Sequence, residues 1–485
     1  MNILSFLPSH INAAFTTVAA VAYFAVAAAT TVHILLHKDD VKSAIAWIAL
    51  VFLSPFIGSV MYVFLGINRV RRKGARLRKK GGILDKYTKR QKAEIYNNLS
   101  IQKKQLINFG INIYGQQFSA GNGIEPLVNG TEAYPVMVEA IKNAKKEVLV
   151  ESYIFDSDCE TDKFIEAFAA AAENGASIKV LIDAIGTLSL FTRSIERKLK
   201  SVKGLEYAVF LPPRIPIALP FVNLRNHRKI MIVDGETAFF GGMNLSAENT
   251  LITDEKKGVQ DITFKIEGAV IDQLAQIFED DWRFVTGKHM RSCSERTVYG
   301  YKGAIAARVI PDGPDNNSGR IELTLQCMIN EAEKKILIVT PYFLPESGIL
   351  TAVEMAAMKG VKVEIIIPEK TDHILMNWAM EPNFARLLGK GVKIYRTPRP
   401  FDHSKICVID DEWIFIGSAN WDVRSFKLNF EAGMEIISPE LAGKLTAVVE
   451  EKKKNAKQTK IEDSVNLPIL KRLRNNAARL LTPYY

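Results

Sequence analysis

The chain has 485 residues and a formal net charge of +10; 48% of its residues are hydrophobic and 24% are charged. This length predicts more than one domain, and this composition excludes wholesale disorder. The four cysteines form no Cys-x-x-Cys pair, which excludes the spacing of a disulfide framework or a zinc site and favours a reducing compartment.

Two long apolar stretches lie near the N-terminus. Residues 11–36 and 43–68 contain no Asp, Glu, Lys or Arg, and the polar segment HKDDVK separates them. Each is longer than the roughly 20 apolar residues that a helix needs to cross a bilayer. A cleaved signal peptide fits poorly, because no Lys or Arg precedes the first stretch and this stretch is too long. We therefore predict two transmembrane helices within residues 1–68.

A basic cluster follows the second apolar stretch. Residues 69–80, RVRRKGARLRKK, contain eight Lys or Arg residues and no acidic residue. The positive-inside rule then places the rest of the chain, and with two spans also the N-terminus, in the cytoplasm. The cluster is either a topology signal alone or also a site that attracts anionic lipid. Because it holds most of the net charge, the remaining chain lacks a basic surface for nucleic acid.

Residues 69–123 form the predicted juxtamembrane segment and connector, and an α/β pattern begins at about residue 124. Apolar runs such as EVLVESYIF (147–155) and SIKVLID (177–183) alternate with amphipathic stretches such as DKFIEAFAAAAENG (162–175). This alternation predicts parallel strands joined by helices.

The α/β part contains an internal repeat. NHRKIMIVDG (226–235) and DHSKICVIDD (402–411) share a His-x-Lys-x4-Asp pattern, 176 residues apart. Asn244 and Asn420 end the next strands at the same spacing, and an acid follows in each half at Asp261 and Glu431. We predict a duplication with halves at residues 124–300 and 301–485, whose motif segments are 222–249 and 398–425.

The motif residues indicate phosphoryl chemistry. Side chains alternate along a strand, so His227 and Lys229 project from one face, as do His403 and Lys405. Two histidines suit a nucleophile and a proton donor, and lysines with polar side chains suit an anion with several oxygens. Asn244 and Asn420 are the predicted phosphate-binding residues beyond the lysines.

The motif aspartates have a different predicted role. Asp234 and Asp410 lie an odd number of residues after their histidines, so in a regular strand they face away from them. We predict that they hold the motif strand or its lysine. No carboxylate cluster or His-Cys set indicates a metal, and we expect no cofactor.

The doubled motif resembles the phospholipase D superfamily over residues from about 124 to 485. The segments NLRNHRKIMIVDG, TPYF (340–343), GVKIY (391–395) and NWDVRSFKLNFE (420–431) resemble bacterial cardiolipin synthases. This resemblance implies two duplicated α/β/α halves around one active site, preceded by two transmembrane helices, in the bacterial inner membrane.

The resemblance also implies an activity. Phosphatidylglycerol would donate a phosphatidyl group to a histidine, and a second phosphatidylglycerol would accept it, giving cardiolipin and glycerol reversibly. It implies that His227 is the nucleophile, that His403 is the acid and base, and that Asp261 and Glu431 orient the histidines. The implied catalytic set is the two motif triads: His227, Lys229, Asp234, His403, Lys405 and Asp410. The resemblance also implies that Ser418 binds phosphate. One departure is Gly242, where many members have the serine found at Ser418.

Alternatives remain open at this stage. A hydrolytic phospholipase D or another phosphatidyltransferase of the superfamily fits the same motifs. Two complete motifs disfavour an inactive binding protein, and the missing basic stripe disfavours a nuclease. The proline-rich loop LPPRIPIALPFVN (211–223) either packs on the protein or dips into the membrane. The apolar and basic residues of 467–485 recur at helical spacing, which predicts an amphipathic helix. It either lies on the membrane or, as we favour, caps the catalytic core.

Overall fold

The computed structural model describes residues 9–38, 41–66, 108–113, 115–187, 194–212, 224–251, 254, 256–293, 300–315, 317–480 and 482. The chain forms two compact units, one helical and one α/β. The predictions for the basic cluster (69–80) and for nearly all of the proline-rich loop (213–223) fall outside the described residues.

The helical unit contains α1 (Ser9–His37), α2 (Val41–Leu53), α3 (Pro55–Met61) and a π-helical turn (Tyr62–Gly66). Within the described residues, only α1 is long and apolar enough to cross a membrane as a single helix. The second predicted span is divided at Ser54, which has an extended φ of −152°. Pro55 causes the break because it has no N–H to donate to the preceding turn. Among the described residues, the structure thus supports one helix of spanning length, and the second predicted span stays a prediction.

Polar contacts hold the helical unit together from inside. Thr30 Oγ1 donates to Ser59 Oγ at 2.8 Å, and His33 Nδ1 lies 3.0 Å from the Tyr62 hydroxyl. Large apolar side chains such as Phe24 and Leu36 point outward and are exposed. Polar pairs between helices, partly shielded behind an apolar exterior, are what a lipid environment favours.

The α/β unit is built on one sheet of 15 strands, with two short two-stranded ribbons beside it. The first half contributes β1 (Ser119–Val128), β2 (Glu147–Ser152), β3 (Ser177–Asp183), β4 (Leu205–Phe210), β5 (Ile230–Val233), β6 (Thr237–Gly241), β7 (Val259–Gln260) and β8 (Ile262–Glu267). The second half contributes β9 (Ile305–Asp312), β10 (Lys335–Val339), β11 (Phe343–Leu344), β12 (Lys362–Pro368), β13 (Lys393–Thr397), β14 (Phe401–Asp402), β15 (Ile406–Ile409), β16 (Trp413–Gly417), β17 (Trp421–Asp422), β18 (Glu431–Ile437) and β19 (Lys457–Gln458).

The strand order confirms the predicted duplication. The first half runs β4-β3-β2-β5-β6-β8-β1, and the second runs β13-β12-β10-β15-β16-β18-β9. The antiparallel pairing of β1 with β9 joins the halves into one sheet, and β19 extends the edge beside β13. The parallel prediction holds for β2-β3-β4 and β10-β12-β13. It is wrong for the motif strands β5 and β15, which run antiparallel to β2 and β10.

Helices cover the sheet and enclose an apolar core in each half. Those of the first half are α4 (Asn129–Lys142), α5 (Cys159–Glu173), α6 (Ala184–Thr187), α7 (Ser194–Ser201) and α8 (Ile271–Thr286). Those of the second half are α9 (Arg320–Asn330), α10 (Ser347–Met358), α11 (Ile374–Leu388), α12 (Val423–Lys427), α13 (Pro439–Lys454), α14 (Ile461–Val465) and α15 (Ile469–Leu480). A 3-10 turn spans Ala247–Asn249, and residues 108–113 are also helical.

Candidate active site

The two motif histidines meet where the halves join. The ring centroids of His227 and His403 are 6.5 Å apart, and the ring planes are inclined at 81°. The residue before each histidine forms a β-bridge with the other half of the chain. Asn226 pairs with Phe430, and Asp402 pairs with Gln260. The His227 backbone N–H donates to the Phe430 carbonyl at 2.9 Å, and that of His403 donates to the Gln260 carbonyl at 2.7 Å. These matched contacts place one imidazole from each half in a shared centre.

Each histidine is held by the carboxylate of the opposite half. His227 Nδ1 lies 3.0 Å from a Glu431 oxygen, and His403 Nδ1 lies 2.8 Å from Asp261 Oδ2. An ionised carboxylate only accepts, so the proton sits on Nδ1 and Nε2 is left for the reaction. The structure thus brings both predicted orienting residues to the imidazoles, with a crossed pairing that the repeat spacing did not indicate.

The two imidazoles have different surroundings. His227 is buried, whereas His403 is partly exposed. Burial lowers the pKa of His227 to about 4, even though the Glu431 carboxylate acts in the opposite direction. Burial and the Lys405 cation lower the pKa of His403 as well. His227 is therefore neutral at pH 7, as a nucleophile must be.

Both motif lysines are buried at the same centre. Lys229 Nζ donates to the His227 carbonyl and Lys405 Nζ to the His403 carbonyl, each at 2.6 Å. Burial lowers the pKa of Lys229 to about 7 and that of Lys405 to about 8, and the Lys405 cation also lowers the pKa of Lys229. An anion placed between them would restore their charges. In the part of the chain that the structure describes, no group of three or more His, Cys, Asp or Glu residues is arranged for a metal ion.

Glu431 is embedded in a network of donors. The Ser418 hydroxyl donates to Glu431 Oε2 at 2.5 Å, and Asn429 Nδ2 donates to Oε1 at 3.1 Å. Burial would raise the pKa of Glu431, but its interactions with His227, Lys229 and the Ser418 hydroxyl outweigh burial and lower the pKa to about 2. Ser418 was predicted to bind phosphate. In the structure its hydroxyl is fully buried and committed to Glu431.

The first half has a glycine in the equivalent place. A Cβ at Gly242 would lie 2.9 Å and 3.0 Å from the two carboxylate oxygens of Asp261. Asp261 instead accepts from the Ile262 backbone N–H at 2.7 Å. The shorter acid and the glycine therefore fit together, as the longer Glu431 and Ser418 do in the second half.

The two asparagines lie on the loops after β6 and β16. Asn244 Oδ1 accepts from the Ile154 N–H at 3.4 Å, beside Tyr153. Asn420 is buried, and among the described residues its Oδ1 has no hydrogen-bond partner. An unpartnered buried amide oxygen costs free energy unless another group, such as a substrate, approaches it.

The motif aspartates are separated from the chemistry. The Asp234 carboxylate accepts from the backbone N–H groups of Lys145, Lys146 and Glu147, at the start of β2. Asp410 does the same for Glu333, Lys334 and Lys335 at the start of β10. Both have positive φ, at 54° and 53°. Their place in the catalytic set is thus corrected: as the strand parity predicted, they tie the motif strand to its neighbour.

Two tyrosines at the site were quoted as part of the repeat but given no role. The Tyr153 ring lies 4.9 Å from that of His227, and Lys229 Nζ lies 5.3 Å from the Tyr153 ring centroid. The equivalent Tyr342 donates to Asp372, and its ring lies 6.3 Å from Phe401, which lies 5.9 Å from His403. Their equivalent positions after β2 and β10 are the sequence feature that could have identified both tyrosines as site residues. Asn429 was missed because the first half has no counterpart that orients its acid.

Comparisons with known proteins agree with this architecture. The sequence profile of the family described as "Cardiolipin synthase, PLD-like domain" matches residues 137–282 and 325–453, and "Phospholipase_D-nuclease N-terminal" matches residues 25–66. The chain is 30% identical over 461 residues to a cardiolipin synthase of Clostridium perfringens (strain 13 / Type A), covering 92% of this chain and 95% of that protein. It is 30% identical over 460 residues to the major cardiolipin synthase ClsA of Bacillus subtilis (strain 168), covering 92% and 94%.

A solved structure shares the fold. Phosphatidylserine synthase from Haemophilus influenzae Rd KW20 superposes with a TM-score of 0.61 and 18% identity, covering 79% of this chain and 100% of that one. At this identity the likeness supports the fold alone.

Proposed function

Because this chain belongs to the cardiolipin synthase family of the phospholipase D superfamily, we propose that it transfers a phosphatidyl group between two phosphatidylglycerol molecules. The products are cardiolipin and glycerol, and the reaction is reversible. The observation that carries the proposal is the pair of imidazoles 6.5 Å apart, each held at Nδ1 by a carboxylate of the other half.

In the first step, His227 Nε2 attacks the phosphorus of one phosphatidylglycerol. The bond from phosphorus to the glycerol oxygen breaks, and His403 gives its Nε2 proton to that oxygen. Glycerol leaves, and a phosphatidyl group remains bonded to His227. The low pKa of His227 fits this role, because a neutral imidazole keeps a free lone pair on Nε2 for the attack.

In the second step, the primary hydroxyl of another phosphatidylglycerol attacks the phosphorus. His403, now neutral, takes the hydroxyl proton, and the bond from phosphorus to His227 breaks. Lys229 and Lys405 neutralise the phosphate oxygens in both steps, and the side-chain Nδ2 groups of Asn244 and Asn420 donate hydrogen bonds to the same oxygens. Glu431 and Asp261 hold the imidazoles, and Ser418 acts through Glu431.

The N-terminal unit anchors the enzyme with two passes through the bilayer. The helix α1 provides the first pass, and α2, α3 and the π-helical turn together provide a second, broken one. The 26 residues from 41 to 66 rise about 39 Å at helical pitch, which exceeds the about 30 Å of hydrocarbon. The basic residues 69–80 keep the catalytic part in the cytoplasm of a bacterial cell.

Purified full-length protein in phosphatidylglycerol vesicles tests the reaction. We expect release of one glycerol for each cardiolipin formed, without added nucleotide or divalent cation. His227→Ala is the matched inactive control. An absolute requirement for CDP-diacylglycerol or for a divalent cation would contradict the scheme. Formation of phosphatidic acid in place of cardiolipin would make the enzyme a hydrolase, since water would then be the acceptor.

A further inference from the structure

The C-terminal helix α15 exposes its apolar face. Ile469, Leu470, Leu473 and Leu480 are 65%, 76%, 60% and 80% exposed. At 100° per residue, these side chains and Ala477 share an arc about 100° wide. The buried residues Asn475 and Ala478 lie on the opposite side. The helix therefore contacts the protein through small and polar side chains, as the predicted capping requires, and turns its apolar side chains to the outside.

The attachment of α15 fixes the direction of this face. Its partner is α11, where the Arg474 guanidinium lies 4.3 Å from the Trp378 ring centroid. One turn before Trp378, Ile374 and Leu375 are also exposed, with exposures of 61% and 39%. We call these exposed residues of α15 and α11 the apolar patch; its members are Ile374, Leu375, Ile469, Leu470, Leu473, Ala477 and Leu480.

The apolar patch is connected to the catalytic centre through one short segment. Ile374 follows His373, whose ring lies 6.3 Å from that of Tyr342. Tyr342 in turn packs beside Phe401, the neighbour of the His403 ring. A surface that binds this patch would therefore lie near the rim of the active site on the His403 side.

The charges of α15 indicate what kind of surface binds the apolar patch. The helix contains Lys471, Arg472, Arg474 and Arg479 and no acidic residue. Arg472 and Arg479 border the apolar arc on one side, and Arg474 borders it on the other. An apolar face with basic borders matches acyl chains beneath anionic headgroups, whereas a second copy would bring like charges together.

We propose that α15, with Ile374 and Leu375, docks the catalytic unit on an anionic bilayer surface, so that its apolar side chains enter the headgroup region. This contact is additional to the N-terminal anchor. It brings the rim of the active site to the plane from which lipid substrates enter. Docking is a property of the surface, and it does not depend on the chemistry at His227.

Hydrogen exchange of the full-length protein in nanodiscs tests the docking. In discs that contain phosphatidylglycerol, we expect backbone amides of residues 469–480 to exchange about tenfold more slowly than in phosphatidylcholine discs. The variant Leu470→Glu/Leu473→Glu should lose this protection. The control Tyr301→Glu adds a charge at a side chain that is 80% exposed and outside the patch, and it should keep the protection.

The measurement is repeated in a His227→Ala background, so that a failure of docking is distinguishable from a failure of the proposed reaction. Equal exchange in the two lipids, or unchanged protection in the double variant, would overturn the proposal. Protection that increases with protein concentration in detergent would identify a second copy as the occupant and would also overturn it. With bilayer substrate, the double variant should raise KM about tenfold and leave kcat within about twofold of the parent.

Discussion

At the residue scale, the same aspartate pattern occurs in both halves, and in both it ends a strand. Each carboxylate accepts from successive backbone N–H groups of the neighbouring strand, in a turn with positive φ. Asn tolerates this backbone conformation as well as Asp does. Substitution by Asn therefore removes the charge without introducing backbone strain.

We expect Asp234→Asn or Asp410→Asn to lower the free energy of unfolding by about 1–3 kcal/mol, because a neutral amide oxygen accepts these hydrogen bonds more weakly than a carboxylate does. Denaturant unfolding followed by circular dichroism measures this loss. Asp411→Asn is the control, because that side chain is 62% exposed and its nearest cation is 3.9 Å away. If the first two variants are as stable as the parent but have a shifted acid limb of the pH–rate profile, the aspartates act on the proton.

The roles of the two histidines can be distinguished in a labelling experiment with a nitrophenyl phosphatidyl donor, whose leaving group needs no proton. His227→Ala should abolish both turnover and the protein adduct. His403→Ala should lower turnover by about 10²–10⁴-fold and still allow an adduct on His227. His289→Ala, which changes an exposed histidine, should behave as the parent does. Peptide mass spectrometry that finds the adduct on His403 would reverse the assignment.

The buried lysines predict a pH dependence of anion binding. In the free enzyme, Lys229 has a pKa of about 7 and Lys405 a pKa of about 8, so both lysines lose their protons as the pH rises from 6 to 9. A bound anion favours the protonated lysines, so its affinity is greatest below pH 7 and weakens as the pH rises through 8. Sulfate does not titrate here, and its inhibition constant should increase about tenfold or more from pH 6 to pH 9. A constant value over this range would show that the lysines stay charged.

At the element scale, the proposed topology depends on whether the broken second helix crosses the bilayer. Ser54 and Pro55 interrupt the backbone ladder, but the segment from Val41 to Gly66 remains helical on both sides of the break. Membrane helices tolerate such breaks where neighbouring groups satisfy the freed backbone. The Tyr23 hydroxyl supports this region by donating to the Phe52 carbonyl at 2.5 Å.

Reporter fusions test whether the broken helix crosses the bilayer. Alkaline phosphatase fused after residue 38 should be active, because the proposed topology puts this point outside the cytoplasm. Fused after residue 113 it should be inactive, and a green fluorescent protein there should fluoresce. Active phosphatase at both points would mean that only α1 crosses. Replacing the basic residues of 69–80 by Gln should weaken the orientation preference.

At the scale of the whole molecule, neither half has a complete site. Glu431 of the second half holds His227 of the first, and Asp261 of the first half holds His403 of the second. The crossing follows from the bridges between Asn226 and Phe430 and between Asp402 and Gln260, which set each motif beside the acid of the other half.

This crossing gives opposite expectations for the two acids. With the nitrophenyl donor, Glu431→Gln should slow formation of the His227 adduct about 100-fold or more, because the nucleophile loses its orientation. Asp261→Asn should leave adduct formation near the parent rate and slow turnover of phosphatidylglycerol, because only the proton donor is affected. Glu267→Gln is the control, because Glu267 ends β8, the strand that begins directly after Asp261, and its side chain is 36% exposed. A slow adduct in Asp261→Asn with a normal one in Glu431→Gln would contradict the crossed roles.

The duplication, the motif residues, the parallel strands and the apolar N-terminus could all be predicted from the amino-acid sequence. These features depend on local periodicity and on residue chemistry, which need no neighbour in space. It also placed Asp234 and Asp410 away from the histidines, because alternation along a strand is a local rule.

Which acid orients which histidine became clear from the folded chain alone. The repeat spacing is the same whether the pairing stays within a half or crosses, so the spacing could not distinguish them. The same holds for the Ser418 hydroxyl, whose direction depends on the length of Glu431, and for Gly242, which leaves space for Asp261. The outward direction of the α15 apolar face was likewise set by its packing on α11, since amphipathicity defines two faces but not which one meets the protein.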